Sequence, residues 1–296
     1  MATDPATVGV IGLGNMGLPM AGHLLAAGYR VQGCDLRPEP AAALAGLGGV
    51  PAPDPASAAT GAGVVITSLP SAAALTEVVS GGRGLAVAAT GGMTVIETST
   101  LPVTVKEEAA QILGRAGAVM LDCPVSGTAS QLQSRDIAVY ASGDPAAIER
   151  CRDVLAAFSR VQHVVGAFGN GMRMKLVANH LVAVHNTAAA EALLLATRAG
   201  LDPALALRAL SDGAGNSRML EVRGPMMLGG DFAAANIALA VFQKDIDLIG
   251  ELARAVRCPL PLFTAAAQLH LAALGQGRAA EDPACVYAVL AGMSQP

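Results

Sequence analysis

The sequence predicts an α/β fold in two parts: a mainly parallel sheet covered by helices, then an all-helical domain. Three observations carry this. Short apolar runs alternate with helical stretches through the first 166 residues, a glycine string lies between the first apolar run and the first helix, and strand-like alternation stops after Gly166. A chain of 296 residues is long for one average domain and suits two. The boundary is expected near Gly166–Gly171, giving domains 1–166 and 167–296.

The elements follow in order. Thr7–Ile11 is a short apolar run ending in glycines, Met16–Ala27 has helical spacing and Arg30–Asp35 is a second short run, a β-α-β unit. Further strands are expected at Val64–Leu69, Thr94–Thr98, Val119–Asp122, Ile137–Ala141 and Val161–Val165, with helices such as Val103–Ala116 and Pro145–Phe158 between them. Alternation of this kind implies parallel strands joined by helical crossovers. Met172–Ala199 then runs without Gly or Pro and is apolar on most faces, so a long helix buried between the domains is expected. Gly200 is its stop signal, and Asp202-Pro203 starts the next helix.

Composition narrows the classes. Hydrophobic residues make up 53% and charged residues 14%, but no unbroken apolar run is long enough for a membrane span. Cys34, Cys123, Cys151, Cys258 and Cys285 are scattered, with no C-x-x-C pair, against a disulfide framework and against a metal site. A net charge of −4 without a basic stripe argues against nucleic acid. The first seven residues carry no basic stretch leading into an apolar one, so no secretory signal is read and a cytoplasmic location is expected. Of nineteen basic residues only Lys106, Lys175 and Lys244 are lysines, which invites a reason for each.

Gly12-Leu13-Gly14-Asn15-Met16-Gly17 is G-x-G-x-x-G between a strand and a helix, the context that marks a dinucleotide-binding turn and a Rossmann-type domain. Gly12 permits the tight turn, Gly14 lets the backbone approach a pyrophosphate, and Gly17 lets helix and strand pack closely, with the helix N-terminus facing the phosphates. Asp35 at the end of the second strand is placed to accept from ribose hydroxyls, which favours NAD. Arg37, after Leu36, is placed to pair with a 2′-phosphate, so NADP stays open.

Lys175 and Asn179 are four apart and share a helix face, with Asn186 about three turns on. One reading is a satisfied polar network. The other is an acid/base: a desolvated lysine titrates nearer neutrality, as an arginine cannot, with Asn179 holding a substrate hydroxyl in line. Apolar neighbours Leu176, Val177, Leu181 and Val182, and a Gly169-Asn170-Gly171 turn leaving room for a ligand, favour the second. At the end of the Val119–Asp122 strand, Ser126 and the backbone N–H groups after it suit a carboxylate, although a capped turn opening a helix fits equally well. Lys244 either reaches a cofactor or is an exposed helix cation.

Together, Gly12–Gly17 with Leu18-Pro19-Met20-Ala21, Asp122–Gly127, Gly169-Asn170-Gly171 with Lys175 and Asn179, and Lys244-Asp245 resemble the β-hydroxyacid dehydrogenases, the family of 3-hydroxyisobutyrate dehydrogenase, over essentially the whole chain. The resemblance implies a small hydroxy-acid substrate and a homodimer or homotetramer. It implies that Lys175 is catalytic, that Asn179 supports the substrate, that Ser126 and Gly127 hold its carboxylate, and that Leu69-Pro70, Ser99-Thr100 and Lys244 lie beside the dinucleotide. Val184-His185, Ala188–Ala192, Gly213–Ser217 and Pro259–Leu262 look most like the L-threonate dehydrogenase branch, which oxidises the 2-hydroxyl of a sugar acid. Alternatives are 3-hydroxyisobutyrate oxidation, an NADP-dependent tartronate or succinic semialdehyde reductase, or a non-catalytic dinucleotide-binding module. Thr128, His180 and Arg218 depart from the family pattern at positions expected to line the substrate pocket, whereas His185 reads better as a core histidine.

Overall fold

The structure is a computed structural model and describes residues 6–233 and 237–293. Its contacts divide the chain into two compact units, Met1–Lys175 and Leu176–Pro296.

Among its described residues the first unit is built on nine strands: β1 (Thr7–Ile11), β2 (Arg30–Cys34), β3 (Val50–Pro51), β4 (Val64–Thr67), β5 (Thr94–Glu97), β6 (Val119–Asp122), β7 (Val125–Ser126), β8 (Ala138–Ala141) and β9 (Val161–Val164). Six form a parallel sheet in the order β3-β2-β1-β4-β5-β6. Residues alternate between its two faces: Ile66 and Ile96 belong to one buried cluster, Val65 and Val95 to the other. A sheet covered on both sides requires such continuous apolar runs. In register, Ile11 lies beside Cys34 and Thr67, Thr67 beside Glu97, and Glu97 beside Asp122. The strands therefore end on one line, and the segments that follow them form one edge. Chain order reverses between β1 and β4, and such a switch point opens a crevice at the carboxyl ends of the strands.

Two expectations are amended. The strands expected at Ile137–Ala141 and Val161–Val165 do not extend the large sheet. They form a second one, β7-β8-β9, in which β7 runs antiparallel to β8. A single antiparallel bridge between Asp122 and Ser142 ties it to the end of β6. The helix expected over Pro145–Phe158 is two, Pro145–Arg150 and Arg152–Phe158. Between them the Cys151 N–H is shared by the Ala147 and Ile148 carbonyls at 3.1 Å each, which tightens the turn.

The regular elements among the described residues of the second unit are all helices, with Pro203–Asp212, Arg218–Gly229, Leu239–Ala255, Pro261–Gly275 and Val286–Met293 following the end of a 29-residue helix, Asn170–Arg198, that begins in the first unit. Leu193, Leu220, Met227, Leu239, Ala273, Val286 and Val289 form its core. Asp202 caps the Pro203 helix by accepting from the Leu205 N–H at 2.6 Å, as its Asp-Pro start predicts. Among the described residues no helix is long and apolar enough to cross a membrane. The long helix is less buried than its composition suggests: Leu176 is buried, but Val177, Leu181 and Leu195 are exposed.

Candidate active site

The glycine turn follows β1 at the sheet edge. Gly12 has φ +84°, and a Cβ there would meet the Ser68 carbonyl oxygen at 2.2 Å. A Cβ on Gly17 would meet the Gly12 carbonyl oxygen at 1.8 Å, so only glycine lets the helix start this close to the strand. Gly14 is different: the nearest atom to a Cβ built on it is an Arg37 guanidinium nitrogen at 4.0 Å. No side chain caps the Gly17–Ala26 helix, and Asn15 is exposed ahead of it. An open cradle at Gly14 before an uncapped helix N-terminus fits a pyrophosphate. Leu13 contributes differently, since its side chain is core.

Asp35 follows β2 and ties this turn to the segment after that strand. Its Oδ2 accepts from the Leu13 N–H at 2.8 Å, and its Oδ1 accepts from the Arg37 N–H at 2.9 Å and from Arg37 Nε at 3.3 Å. Burial pushes the Asp35 carboxyl up, but the hydrogen bonds from Arg37 and Leu13 outweigh it and hold it below the usual carboxylate range. The two residues read as rivals for cofactor choice are thus paired with each other. A carboxylate offers about four acceptor directions, so Asp35 keeps capacity for ribose hydroxyls. Leu36, fully exposed beside it, presents an apolar surface at the same edge.

Further along the edge, the Leu69 N–H donates to Ser99 Oγ at 2.8 Å and the Ser99 N–H donates to Glu97 Oε1 at 2.9 Å, binding the segments after β4 and β5 into one surface. Pro70 is exposed and Thr100 half-buried there. The segment after β6 matches the capped-turn reading. Thr128 opens the Ala129–Gln133 helix with a capping box in which its own N–H donates to Gln131 Oε1 at 3.0 Å. That N–H is engaged locally, in the cap. Ser126 is half-buried in β7, outside the cap, and Gly127 is exposed with φ +140°.

Lys175 lies in the second turn of the long helix and is 8% exposed, at the end of the first unit. Gly171 is not room for a ligand: a Cβ there would meet the carbonyl oxygens of Asp122 and Tyr140 at 2.5 Å, so the glycine lets the helix start against the ends of β6 and β8. In the second unit, Asn179 Nδ2 donates to Asp245 Oδ2 at 2.7 Å, and both residues are buried. Asp245 went unassigned in the sequence although it stands next to Lys244; the signal was an acidic residue within an otherwise apolar helix face. Lys244 is half-buried on the Leu239–Ala255 helix rather than fully exposed. His180, one of the departures from the family pattern, stacks on Phe263 at 5.5 Å between ring centroids, and burial, with His185 adding to it, lowers its pKa.

Residues 7–169 match the family described as the NAD binding domain of 6-phosphogluconate dehydrogenase, and residues 169–290 match the NAD-binding domain of NADP-dependent 3-hydroxyisobutyrate dehydrogenase. An L-threonate dehydrogenase of Cupriavidus necator is 38% identical over 290 residues, covering 98% of this chain and 97% of its own. The chain belongs to the β-hydroxyacid dehydrogenase family. Two solved relatives agree. A 3-hydroxyisobutyrate dehydrogenase from Salmonella typhimurium superposes with a TM-score of 0.85 at 32% identity, covering 96% of this chain and 99% of that one. The Mycobacterium tuberculosis 3-hydroxyisobutyrate dehydrogenase, solved with L-serine, gives 0.87 at 29% identity over 97% and 99%. This member of the family is accordingly an NAD(P)-dependent oxidoreductase acting on the CH–OH group of a small hydroxy acid, on a Rossmann-type domain followed by a helical one.

Proposed function

We propose that the protein oxidises the 2-hydroxyl of L-threonate or a closely similar sugar acid, with NAD as the preferred cofactor and Lys175 as the acid/base. The observation that carries the mechanism is a buried lysine one turn inside a helix whose start is packed against the carboxyl ends of the strands, the edge that also holds the glycine turn. Residues 1–166 bind the dinucleotide in this reading and 167–296 supply the rest of the substrate site. When bound there, the dinucleotide would supply the acceptor for the hydride released from the hydroxyl-bearing carbon.

The chain's own residues do the remaining work. Gly14 and the uncapped helix N-terminus receive the pyrophosphate, while Asp35 accepts from the adenosine ribose and, with Arg37 already paired to it, leaves a 2′-phosphate facing a carboxylate. Leu69-Pro70, Ser99-Thr100 and Lys244 complete the cofactor side. Ser126 and Gly127 hold the substrate carboxylate, and Asn179, steadied by Asp245, presents the hydroxyl to Lys175. A neutral lysine amine takes the hydroxyl proton as the C–H bond breaks, a role that needs a group able to titrate and so excludes arginine. The choice of substrate rests on the L-threonate dehydrogenases among the relatives, at 38% and 33% identity over 98% of this chain.

The test is Lys175→Ala, followed by NADH absorbance with L-threonate, glycerate and 3-hydroxyisobutyrate as substrates. Loss of kcat by about a hundredfold to ten-thousandfold with unchanged NAD binding is expected. Retention of most of kcat would sink the mechanism, and turnover of 3-hydroxyisobutyrate in preference to L-threonate would replace the substrate.

A further inference from the structure

The lysine that the mechanism leaves unused is the most buried one. Lys106, on the Val103–Arg115 helix, has no exposed surface, and neither do the two carboxylates around it. Its Nζ meets Glu97 Oε2 at 2.6 Å as an ion pair and donates to Asp122 Oδ1 at 2.7 Å. Glu97 closes β5 and Asp122 closes β6, adjacent in register. One cation against two carboxylates leaves an excess negative charge in the interior, which must be met by dipoles.

Those dipoles come from the two ends of the network. On one side Glu97 Oε1 accepts from the Ser99 N–H, and Ser99 Oγ accepts from the Leu69 N–H, so the cluster reaches the segments assigned to the dinucleotide. On the other, Asp122 Oδ2 accepts from the Met172 N–H at 2.8 Å. Ser142 Oγ, which donates to Asp122, accepts from the Gly171 N–H at 2.9 Å. Gly171 and Met172 are in the first turn of the long helix, where N–H groups have no partner within the helix and the dipole favours a negative charge. Asp122 is therefore a cap supplied from a distant strand. Lys175 follows Met172 by three residues, a rise of about 4.5 Å along the same helix.

We propose that Lys106, with Glu97 and Asp122, is a positioning device that locks the first turn of the lysine helix, and with it Lys175, to the strand ends carrying the dinucleotide segments. Lys106 touches neither substrate nor cofactor in this account. Its part is to hold Asp122 oriented toward Gly171 and Met172 while Glu97 fixes Ser99. Burial alone would weaken the ammonium, but Glu97 and Asp122 outweigh it and raise the Lys106 pKa, so the charged amine is favoured between them. The proposal rests on Lys175 as the acid/base.

Two variants test it, with Lys175→Ala run beside them. Lys106→Met removes the cation. Asp122→Asn is isosteric, leaves Lys106 and Glu97 one to one, and so gives a folded protein should the two unpaired carboxylates of Lys106→Met prevent folding. Each folded variant is expected to lose about tenfold to a hundredfold in kcat, as a small misplacement of an acid/base does, with KM for NAD within about threefold of wild type. Amide exchange at Gly171 and Met172 should accelerate while Val95, in the middle of β5, stays protected. Unchanged exchange at those two amides, or kcat within about twofold of wild type, overturns the proposal. If Lys175→Ala abolishes turnover while these variants keep it, the positioning role fails alone. If Lys175→Ala keeps turnover, the acid/base reading fails, and this inference falls with it.

Discussion

Each compact unit buries an ion pair, and the two are built on different arithmetic. In the first, Lys106 faces two carboxylates, and its ammonium is raised above its ordinary value because their attraction exceeds the cost of burial. In the second, Arg223 Nε donates to Asp282 Oδ1 at 2.8 Å, one cation to one carboxylate, and burial still pulls the guanidinium below its ordinary value despite Asp282. Burial thus outweighs the carboxylate at Arg223, and the two carboxylates outweigh burial at Lys106. What else each aspartate holds also differs. Asp282 accepts from the Ala284 N–H at 3.0 Å and closes a local 3-10 turn, Pro283–Cys285. Asp122 reaches fifty residues along the chain to the start of the lysine helix. The first cluster joins two strand ends to the start of a later helix; the second joins a core helix to a local turn.

That contrast can be broken at Arg223. Arg223→Met leaves Asp282 buried without its cation, and a loss of about 3–5 kcal/mol in urea unfolding is expected, with kcat of the folded fraction near wild type. A kcat loss matching that of Lys106→Met would erase the distinction between a structural pair and a positioning cluster. A smaller effect is expected at Asp35, where the carboxylate holds Leu13 and Arg37 but caps no catalytic helix. Asp35→Asn should lower the ratio of kcat/KM for NAD over NADP by about tenfold, the order of one charge-assisted hydrogen bond. An unchanged ratio would show that Asp35 does not govern the choice. The smallest effect belongs to His270 in the second unit. Burial first, with Arg223 adding to it and a hydrogen bond to the Ala266 carbonyl opposing, depresses its pKa, so the folded state favours the neutral ring. Its stabilising contribution is complete above the unfolded value of about 6.5 and is lost as pH falls from there through the lower folded value. The urea midpoint should therefore drop between about pH 7.5 and 5.5, and drop less in His270→Gln. Equal drops in both proteins would place the acid sensitivity elsewhere.

Most of the fold was legible because its signals are local. Five of the six strands of the large sheet, all but β3, are apolar runs whose ends the sequence placed within two residues of those observed, and Gly200 and Asp202-Pro203 punctuate the helices as read. What escaped was short or non-local. β3 and β7 are two residues each, too brief for any periodicity, and β3 contains a proline. The division into two sheets depends on the bridge between Asp122 and Ser142, which no window around either residue contains. The site divides in the same way. The glycine turn, Asp35 and the Lys175–Asn179 face follow from spacing on a strand, a turn and a helix. The partners of those residues do not: Arg37 folded back on Asp35, Asp245 on Asn179 and Gln131 on the Thr128 N–H are all products of packing or of a local cap.

Lysine usage shows where the division lies. In a chain with three lysines among nineteen basic residues, the sequence alone marked Lys106, Lys175 and Lys244 as positions needing a reason, and helical periodicity with the family pattern supplied one for Lys175. Only the tertiary structure supplied one for Lys106, by bringing the ends of β5 and β6 and the first turn of a later helix around a single ammonium group. The physical reason is one of range. Periodicity and turn chemistry act over a few residues and can be read along the chain, whereas the energy of a buried charge depends on every group within a few ångströms, whatever its distance in sequence.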